Sequence, residues 1–319
     1  MLASSEPDTI FNSIKRIGMG GAGVAIANDE HALYLNPAGL SEVDLFLLRG
    51  PRARVAFNQD VLNKSTDLGA LSNASTTAAY ITQMKALVPL KIGVDLSLSP
   101  IAAIVVNGIG IGGFFESQIQ GNLLRKTNPK LQFSVVGDGA GIIGYGRKMD
   151  LFGKEVAVGF SAKYLYRART YNSSGGATYE WSMEDMISMQ ESGTPTVNYF
   201  MGGGFGFDFG AISKIETFLG SANLGLVVNN IATNLQGDVS QYTSSGTTVL
   251  ESNKTCSLPL TATLGLGLQT GVPIVSDYLG ALDVAADYKF ISPESSFFKN
   301  LHIGAEGRIL GGMLRIRGG

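Results

Sequence analysis

The sequence predicts an all-β fold, a transmembrane antiparallel β-barrel of about 12–14 strands that encloses a short N-terminal plug containing a small helix. Two observations lead to this prediction. The 319 residues are apolar on average, with a mean hydropathy of +0.17 and only 16% charged residues, yet no long apolar block stands out. Beyond residue 40, apolar residues alternate with polar residues or glycine along one segment after another. We expect residues 1–40 to form the plug and residues 41–319 the barrel.

The longest apolar stretch, residues 101–115, does not read as a membrane helix. It contains Asn107 and four glycines, and it is shorter than the roughly 18–20 apolar residues that a spanning helix needs. A membrane barrel places its lipid-facing residues at every second position, so its apolar residues are dispersed along the chain. An apolar composition without an apolar block is therefore typical of a barrel.

The N-terminal segment combines glycine, small apolar residues and an acidic pair before it reaches Asn-Pro-Ala-Gly-Leu at residues 36–40. This pattern predicts a short helix over residues 28–35 that Pro37 ends. The Asn36 side chain is suited to bind nearby backbone, and Gly39 permits the turn into the first strand. The residues that we assign to the plug and its gating are Gly18, Gly20, Gly21, Asn36, Pro37 and Gly39.

Two glycine patterns match the dinucleotide-binding fingerprint G-x-G-x-x-G, at residues 18–23 and 108–113. That fingerprint requires a buried strand before it and a helix after it. The residues before Gly18 are too polar for a central strand, and no helical pattern follows Gly113. We interpret these glycines as positions of close backbone packing rather than as a nucleotide site.

The order of elements in residues 16–40 resembles the N-terminal signature of the FadL-type outer-membrane transport superfamily, which includes PorV-like and TraF-like proteins. Residues 17–22 read Ile-Gly-Met-Gly-Gly-Ala after Arg16, Asp29 and Glu30 supply the acidic pair, and residues 36–40 complete the signature. The resemblance implies a plugged outer-membrane barrel of about fourteen strands. It leaves the transported molecule open.

The predicted strands carry bulky apolar residues on one face, because side chains alternate faces along a strand. The segments run about 10–15 residues, longer than a soluble strand of roughly 5–6 and long enough for a tilted membrane strand. Residues 101–116 are apolar on both faces and form the least regular segment. Representative outward residues, in chain order, are Val55, Phe57, Val94, Leu96, Phe133, Phe160, Tyr164, Phe205, Phe207, Phe209, Leu224, Leu264, Leu266, Val284, Tyr288, Ile303 and Ile316.

The opposite faces carry charged residues and glycines where a sandwich core would need bulky apolar ones, which predicts a hydrated or plugged lumen. We favour mutual ion pairing, which would fix the plug, as the role of any single charge. The alternative role is to line or gate a solute path. The candidate lumen-lining residues are Lys163, Arg167, Asp208, Asp283, Asp287, Lys289, Glu306 and Arg308, with Arg315 and Arg317 on the last segment.

The connections between strands alternate in length, as expected for extracellular loops and periplasmic turns. Residues 172–197 and 233–257 are long and rich in Ser, Thr and Gly, whereas residues 210–220 and 271–277 are shorter. Residues 181–189 predict a short helix within the first long loop. Its methionines either pack on the barrel rim, which we favour, or meet an apolar ligand.

Evidence for an enzyme is poor, and we predict no catalytic residue, no cofactor and no metal site. The two histidines, His31 and His302, are interpreted as hydrogen-bonded or solvated residues, and no G-x-S-x-G or H-E-x-x-H pattern occurs. The single cysteine, Cys256, excludes an internal disulfide and a cysteine-cluster metal site. A net charge of −2 without a basic block argues against nucleic acid as a partner.

A protein of this kind would belong in the bacterial outer membrane. The first residues lack the basic start and apolar region of a signal peptide, so we expect that a leader was removed or trimmed. The last residues stop within an alternating pattern, and we expect that one or more C-terminal strands are missing.

Three functions remain open at this point. The first is passive transport of hydrophobic small molecules, such as fatty acids, through the plugged lumen, with membrane lipid as the surrounding partner. The second is a PorV-like or TraF-like barrel that binds a protein partner in a secretion or assembly system. The third is a soluble β-sandwich binding module, which would pair its apolar faces in a dry interior.

Overall fold

In the computed structural model, the described residues are 13–43, 46–151, 153–192, 196–218, 220–243, 246–270, 281–309 and 313–319. They contain fifteen β-strands in one sheet, in which every pairing is antiparallel. The all-β antiparallel prediction is confirmed. The strands do not divide into the two facing sheets that the sandwich alternative required.

Most strands are far longer than those of soluble sheets, and the longest has 22 residues. Their bounds are β1 Phe46–Arg49, β2 Ala53–Phe57, β3 Leu90–Val106, β4 Ile109–Leu124, β5 Lys130–Leu151, β6 Lys154–Thr170, β7 Tyr179–Trp181, β8 Val197–Thr217, β9 Gly220–Ile231, β10 Asn234–Thr243, β11 Gly246–Ser257, β12 Thr261–Thr270, β13 Leu282–Ile291, β14 Leu301–Ile309 and β15 Leu314–Gly318.

The helices of the described residues are short, and none is long and apolar enough to cross a membrane. Two 3₁₀ segments, Val24–Ile26 and Pro37–Glu42, lie in the N-terminal segment. The α-helices are α1 Ile14–Gly18, α2 Ala32–Leu35, α3 Gln59–Asn63, α4 Ser65–Ser72, α5 Thr77–Leu87, α6 Met183–Ser192 and α7 Phe297–Asn300.

The sheet follows the order β1-β3-β4-β5-β6-β8-β9-β12-β13-β14-β15. Both β1 and β2 pair with β3, at residues 103–106 and 94–98, so they are two pieces of one interrupted strand. Such pieces, together with the three-residue β7, explain why the count exceeds the predicted 12–14. Among the described residues, no ladder joins β15 to β1 or β2.

The irregular segment 101–116 is a hairpin rather than a single strand. Residues Asn107 and Gly108 separate β3 from β4, with φ angles of 49° and 79°. Two positive φ angles at an Asn-Gly pair are typical of the tight turn whose twist matches the flanking strands. The second fingerprint match, at Gly108, therefore lies in a β-hairpin.

Two predicted connections are wrong. Residues 233–257 form the β10–β11 hairpin instead of a loop, because their Ser, Thr and Gly content hides the alternation of an exposed ribbon. Residues 210–220 are largely strand, since β8 continues to Thr217 and β9 begins at Gly220. The predicted turn at residues 271–277 lies outside the described residues.

The two ends of the sheet differ. At one end, called the turn end, only two residues separate β3 from β4, β5 from β6 and β8 from β9. The other end, called the loop end, carries α3–α5, β7, α6, the β10–β11 hairpin and α7. The helices α3–α5 were not predicted, because residues 58–89 have no sharp apolar periodicity.

The helix predicted over residues 181–189 is present as α6, two residues later than expected. Ser182 and Asp185 cap it reciprocally: the Ser182 N–H donates to Asp185 Oδ2 at 2.8 Å, and the Asp185 N–H donates to Ser182 Oγ at 3.2 Å. Met186 is buried against Met84 and neighbouring leucines at the loop end, as rim packing predicts. The helix predicted over residues 28–35 is shorter, and only Ala32–Leu35 is helical.

Outward and inward faces separate as the alternation predicts. On β6, Phe160 and Tyr164 are exposed, whereas Lys163 and Arg167 between and beyond them are buried. On β8, Phe205 is two-thirds exposed. The apolar rows thus lie on the outer surface of the sheet, and the charged rows lie against the interior.

Candidate functional site: the plugged interior

The N-terminal segment, residues 13–43, lies against the inner face of most of the sheet. Residues 24–26 contact β9, β12 and β13, residues 37–42 contact β5, β6 and β8, and α1 contacts β15. Because strands from β4 to β15 contact the same segment, the sheet curves round it. We call this segment the plug.

Inward-facing glycines on the strands make room for the plug. An added Cβ at Gly159 would lie 2.2 Å from the Pro37 carbonyl carbon, and one at Gly304 would lie 2.2 Å from the Met19 oxygen. Such distances are far inside van der Waals contact, so any larger residue would displace the plug. The glycines of this cradle, each of which would place a Cβ within 3 Å of a plug atom, are Gly110, Gly112, Gly144, Gly146, Gly159, Gly210, Gly225, Gly267 and Gly304.

Glycines within the plug meet the wall in the same way. Gly20 and Gly21 have φ angles of +61° and +92°, which glycine adopts without strain. An added Cβ at Gly21 would lie 2.7 Å from His302 Nδ1, and one at Gly18 would lie 2.8 Å from the Arg317 side chain. A Cβ at Gly39 would lie 1.8 Å from the Ala27 oxygen, which is a contact inside the plug itself.

Asn36 is fully buried and fastens the plug to itself and to the wall. Its Nδ2 donates to the Val24 carbonyl at 3.0 Å, with the Ala211 and Leu226 carbonyls of β8 and β9 at 3.4 Å. Its Oδ1 accepts the Ala38 N–H at 3.2 Å, which caps the 3₁₀ segment that Pro37 begins. The predicted backbone role of Asn36 is thus found, with partners on two strands that the sequence did not indicate.

Asp287 on β13 holds the same part of the plug through its backbone N–H groups. Its Oδ2 accepts the N–H groups of Gly23 at 2.7 Å and Val24 at 3.0 Å. Asp287 is 2% exposed, and its Oδ1 has no hydrogen-bond partner within the described part of the chain. A buried carboxylate that accepts two backbone N–H groups makes strong, charge-assisted hydrogen bonds.

The predicted lumen charges lie on the inner face, and most of them form ion pairs. Lys163 Nζ contacts Asp208 Oδ1 at 2.7 Å and also donates to Asn230 Oδ1 at 2.8 Å. At the turn end, Arg308 pairs with Asp283 at 2.8 Å and Arg317 pairs with Glu306. Lys289 lines the internal cavity described below.

The partner of Arg167 was not predicted. Its Nε and Nη2 donate to the two oxygens of Asp138, each at 2.7 Å, and both side chains are fully buried. Asp138 stands in a glycine-rich part of β5, so its inward position was not evident from the sequence. Glu116, its neighbour across the ladder on β4, was missed for the same reason.

The acidic pair of the plug forms an ion-pair cluster. One ligand atom from each of Asp29, Glu30 and His31 lies within 4.8 Å of the others, a spacing that a metal ion could bridge. However, Glu30 pairs with Arg49 at 3.2 Å and Arg52 at 2.9 Å. A carboxylate between two guanidinium groups has little remaining charge to offer a cation, so the cluster fits ion pairing better.

Electrostatics keep two plug side chains in fixed protonation states. Burial opposes the ionisation of Asp29, yet the hydrogen bond from His31 and the Lys15 ammonium outweigh it and hold the pKa of Asp29 well below its usual range. Burial, helped by the nearby Glu30 carboxylate, raises the pKa of Tyr34 far above its ordinary value. Asp29 is therefore ionised and Tyr34 neutral at physiological pH.

The inner face is only partly polar, which corrects the expectation of a charged and glycine-lined lumen. Leu33, Tyr34 and Leu40 of the plug pack with Phe114 and Ile142 of the wall. This apolar cluster continues towards the loop end through Leu165, Phe200, Leu235 and Val239. These wall residues occupy inward positions, so an apolar core fills part of the interior.

A small cavity remains between plug and wall. Its volume is about 60 Å³, and it lies among Val24, Tyr34, Asp208, Asp287 and His302. A site for one water molecule needs about 10–15 Å³, so this space suits a few water molecules and is too small for an acyl chain. Passage of a larger solute here requires the plug to move.

One solved structure similar to this chain is described as the CymD monoaromatic hydrocarbon channel. The two share 13% sequence identity with a TM-score of 0.40, and the match covers 95% of this chain and 74% of the channel. No family model and no curated protein matches the chain. The proposals below therefore depend on the geometry of the chain itself.

Proposed function

We propose that this chain is an outer-membrane barrel through which hydrophobic small molecules, such as fatty acids, pass by diffusion. The proposal keeps the predicted division of the chain at residue 40, with the plug described above closing the barrel that residues 41–319 form. One observation carries the proposal: a single antiparallel sheet exposes apolar rows outward and holds its own N-terminal segment inside.

The outer surface supports a membrane location. Phe209, Leu224 and Leu266 on adjacent strands β8, β9 and β12 are each at least two-fifths exposed. Contiguous apolar surface of this kind marks a membrane or protein interface rather than a face in water. Small polar residues and ion pairs lie inside, as in membrane barrels.

The plug supports a gated path. It is joined to the wall by hydrogen bonds and ion pairs, and the cavity between plug and wall described above is too small for an acyl chain. The apolar cluster from Leu40 to Val239 is closely packed here, and it would meet a hydrophobic molecule once the plug moves away from the wall. Gly18, Gly20, Gly21, Asn36, Pro37 and Gly39 are the plug positions at which a change would alter gating.

Uptake of a radiolabelled long-chain fatty acid by bacterial cells that lack their own channel for it tests the proposal. We expect the wild-type chain to raise uptake, and Asn36→Ala, which loosens the plug, to raise it further. Asn73→Ala at the exposed end of α4 is the matched control. Uptake equal to that of cells with an empty vector, for every variant, would reject transport.

A second candidate is a barrel that binds a protein partner in a secretion or assembly system. The closed interior and the elaborate loop end favour it, because a binding protein needs no open path. Capture of a defined secreted protein by the wild-type chain, lost when α6 and the β10–β11 hairpin are shortened, would support it. Fatty-acid uptake that persists in the shortened variant would favour transport instead.

A further inference from the structure

The β10–β11 hairpin continues the wall beyond the point where β9 ends. β10 pairs with residues 197–203 at the loop end of β8, whereas β9 pairs with residues 207–217 of the same strand. Among the described residues, β11 pairs only with β10. The other side of β11 is therefore a free sheet edge beside the loop end.

The upper part of this edge lacks the features that normally protect one. Residues 246–249, Gly-Thr-Thr-Val, carry neither charge nor proline and pair regularly with residues 240–243 of β10, and Val249 is about half exposed. Natural edge strands are usually guarded by charges, prolines or bulges, because their unpaired N–H and C=O groups bind other strands. Here such guards begin at Leu250, an extra residue of β11 between the Ser240–Val249 and Val239–Glu251 pairs. They continue with Glu251, Lys254 and a second bulge that contains Asn253 at a φ of +57°.

The hairpin is held in place from within. Leu235 and Val239 of β10 and Cys256 of β11 are buried in the interior apolar cluster. Gln241 Nε2 also donates to Asn198 Oδ1 of β8 at 3.0 Å. Because β10 is paired on both sides, the free edge of β11 is presented in a fixed, extended conformation.

From these contacts we infer that residues 246–249 bind an extended polypeptide segment of a partner protein, which adds a strand to β11. Regularly spaced backbone donors and acceptors on a free edge are matched by another extended backbone, and alternate side chains then make the remaining contacts. The uncharged Thr and Val side chains tolerate many partner sequences. This interaction is separate from the proposed transport.

A second copy of the chain in the same membrane does not fit this edge. Copies in one membrane are related by axes along the membrane normal, and β11 runs in the direction of β8, along the wall. Such an axis would bring the two β11 edges together parallel and in register. In a parallel pair, the offset between the strands places each N–H opposite a C=O. Two copies in register lack that offset, so like backbone groups would face each other.

Binding of a synthetic peptide tests the inference. The probe is a fluorescent eight-residue peptide of alternating Thr and Val, compared with the same peptide N-methylated at every second residue. N-methylation keeps the side chains and removes the donors of one edge. Since the N-methylated peptide loses several backbone hydrogen bonds to the edge, we expect at least a roughly ten-fold weaker affinity for it.

Two lysine variants locate the site. Val249→Lys places a charge on the free edge and should weaken peptide binding by a similar factor of about ten, whereas Tyr242→Lys on the doubly paired β10 should leave it unchanged. Both positions are about half exposed, so both variants should fold, which heat-modifiable gel migration checks.

Three results would overturn the inference: no binding of the unmodified peptide, equal binding of the N-methylated peptide, or unchanged binding by Val249→Lys. Dimerisation of the purified protein that Val249→Lys abolishes would show that a second copy occupies the edge. Fatty-acid uptake by the same variants reports on transport independently, because residue 249 lies outside the lumen.

Discussion

Asp287 and Gly23 are 264 residues apart in the sequence, and the Asp287 carboxylate accepts the Gly23 N–H at 2.7 Å. The same oxygen accepts the N–H of Val24. The contact joins the plug to β13, whereas Asn36 donates to the Val24 carbonyl and lies near carbonyls of β8 and β9. Asp287 and Asn36 thus both hold the plug at Val24, and weakening either contact should loosen it without removing the barrel.

Asp287→Asn should loosen the plug at its second attachment. A neutral amide makes weaker hydrogen bonds than a carboxylate, and a hydrogen bond to a charged group contributes about 1.5–3 kcal/mol. We expect faster hydrogen exchange of residues 18–27 and increased fatty-acid uptake. Asp283→Asn on the same strand face, where Asp283 pairs with Arg308 and not with the plug, is the control and should leave that exchange unchanged.

Gly159→Ala should disrupt the cradle that holds Pro37. The new Cβ would lie 2.2 Å from plug backbone, and overpacking of this kind costs about 1–3 kcal/mol. Gly141→Ala on β5 has nothing within 4 Å of its Cβ and is the matched control. Equal resistance of the two variants to urea would show that the plug does not occupy the described position.

Asp138→Ala should be the most damaging single change in the interior. It leaves the Arg167 guanidinium buried without its bidentate partner, which costs about 3–5 kcal/mol. Replacing both residues by apolar ones of similar size should recover much of that loss, because the charge and its partner disappear together. Urea unfolding measures both effects, with Lys254→Ala at the exposed Lys254–Glu251 pair expected to give no measurable change.

Acid should weaken the plug through Asp29. Its folded pKa lies below the ordinary value of about 3.9, so its ionised form stabilises the folded state above that pH. That contribution is lost as the pH falls below about 4 towards the folded pKa. Wild type should therefore exceed Asp29→Asn in stability at pH 7, and the difference should shrink in acid. A difference that is constant from pH 7 to pH 3 would contradict this assignment.

Leu266→Arg tests whether the outer face meets lipid. Leu266 lies on the outward face of β12, and an arginine near the middle of a bilayer costs a barrel about 2–4 kcal/mol. Leu250 is similarly exposed but lies on the β10–β11 hairpin, beyond the end of β9. Leu250→Arg should therefore change the free energy of unfolding little. Unfolding of both variants in phospholipid bilayers gives the comparison, and equal stabilities would argue against a membrane location.

The sequence by itself determined the sheet and its two faces. Phe205, Phe207 and Phe209 alternate with Gly206 and Asp208, and such a period of two leaves only one assignment of outward and inward residues. The change of pattern near residue 40 likewise led to the prediction of a plug segment ahead of the strands. These features depend on neighbours along the chain, which a sequence displays directly.

Only the tertiary structure decided which inward residues meet. From the sequence alone, Gly159 is a residue that weakens a strand, and Asp287 is one of several inward charges. The structure shows the Pro37 backbone against Gly159, and the Gly23 and Val24 N–H groups bound to the Asp287 carboxylate. The bidentate contact of Asp138 with Arg167 and the free edge of β11 depend in the same way on strand register and sheet order. Contacts between residues far apart in sequence follow from how the sheet curves round the plug, and local alternation carries no information about that curvature.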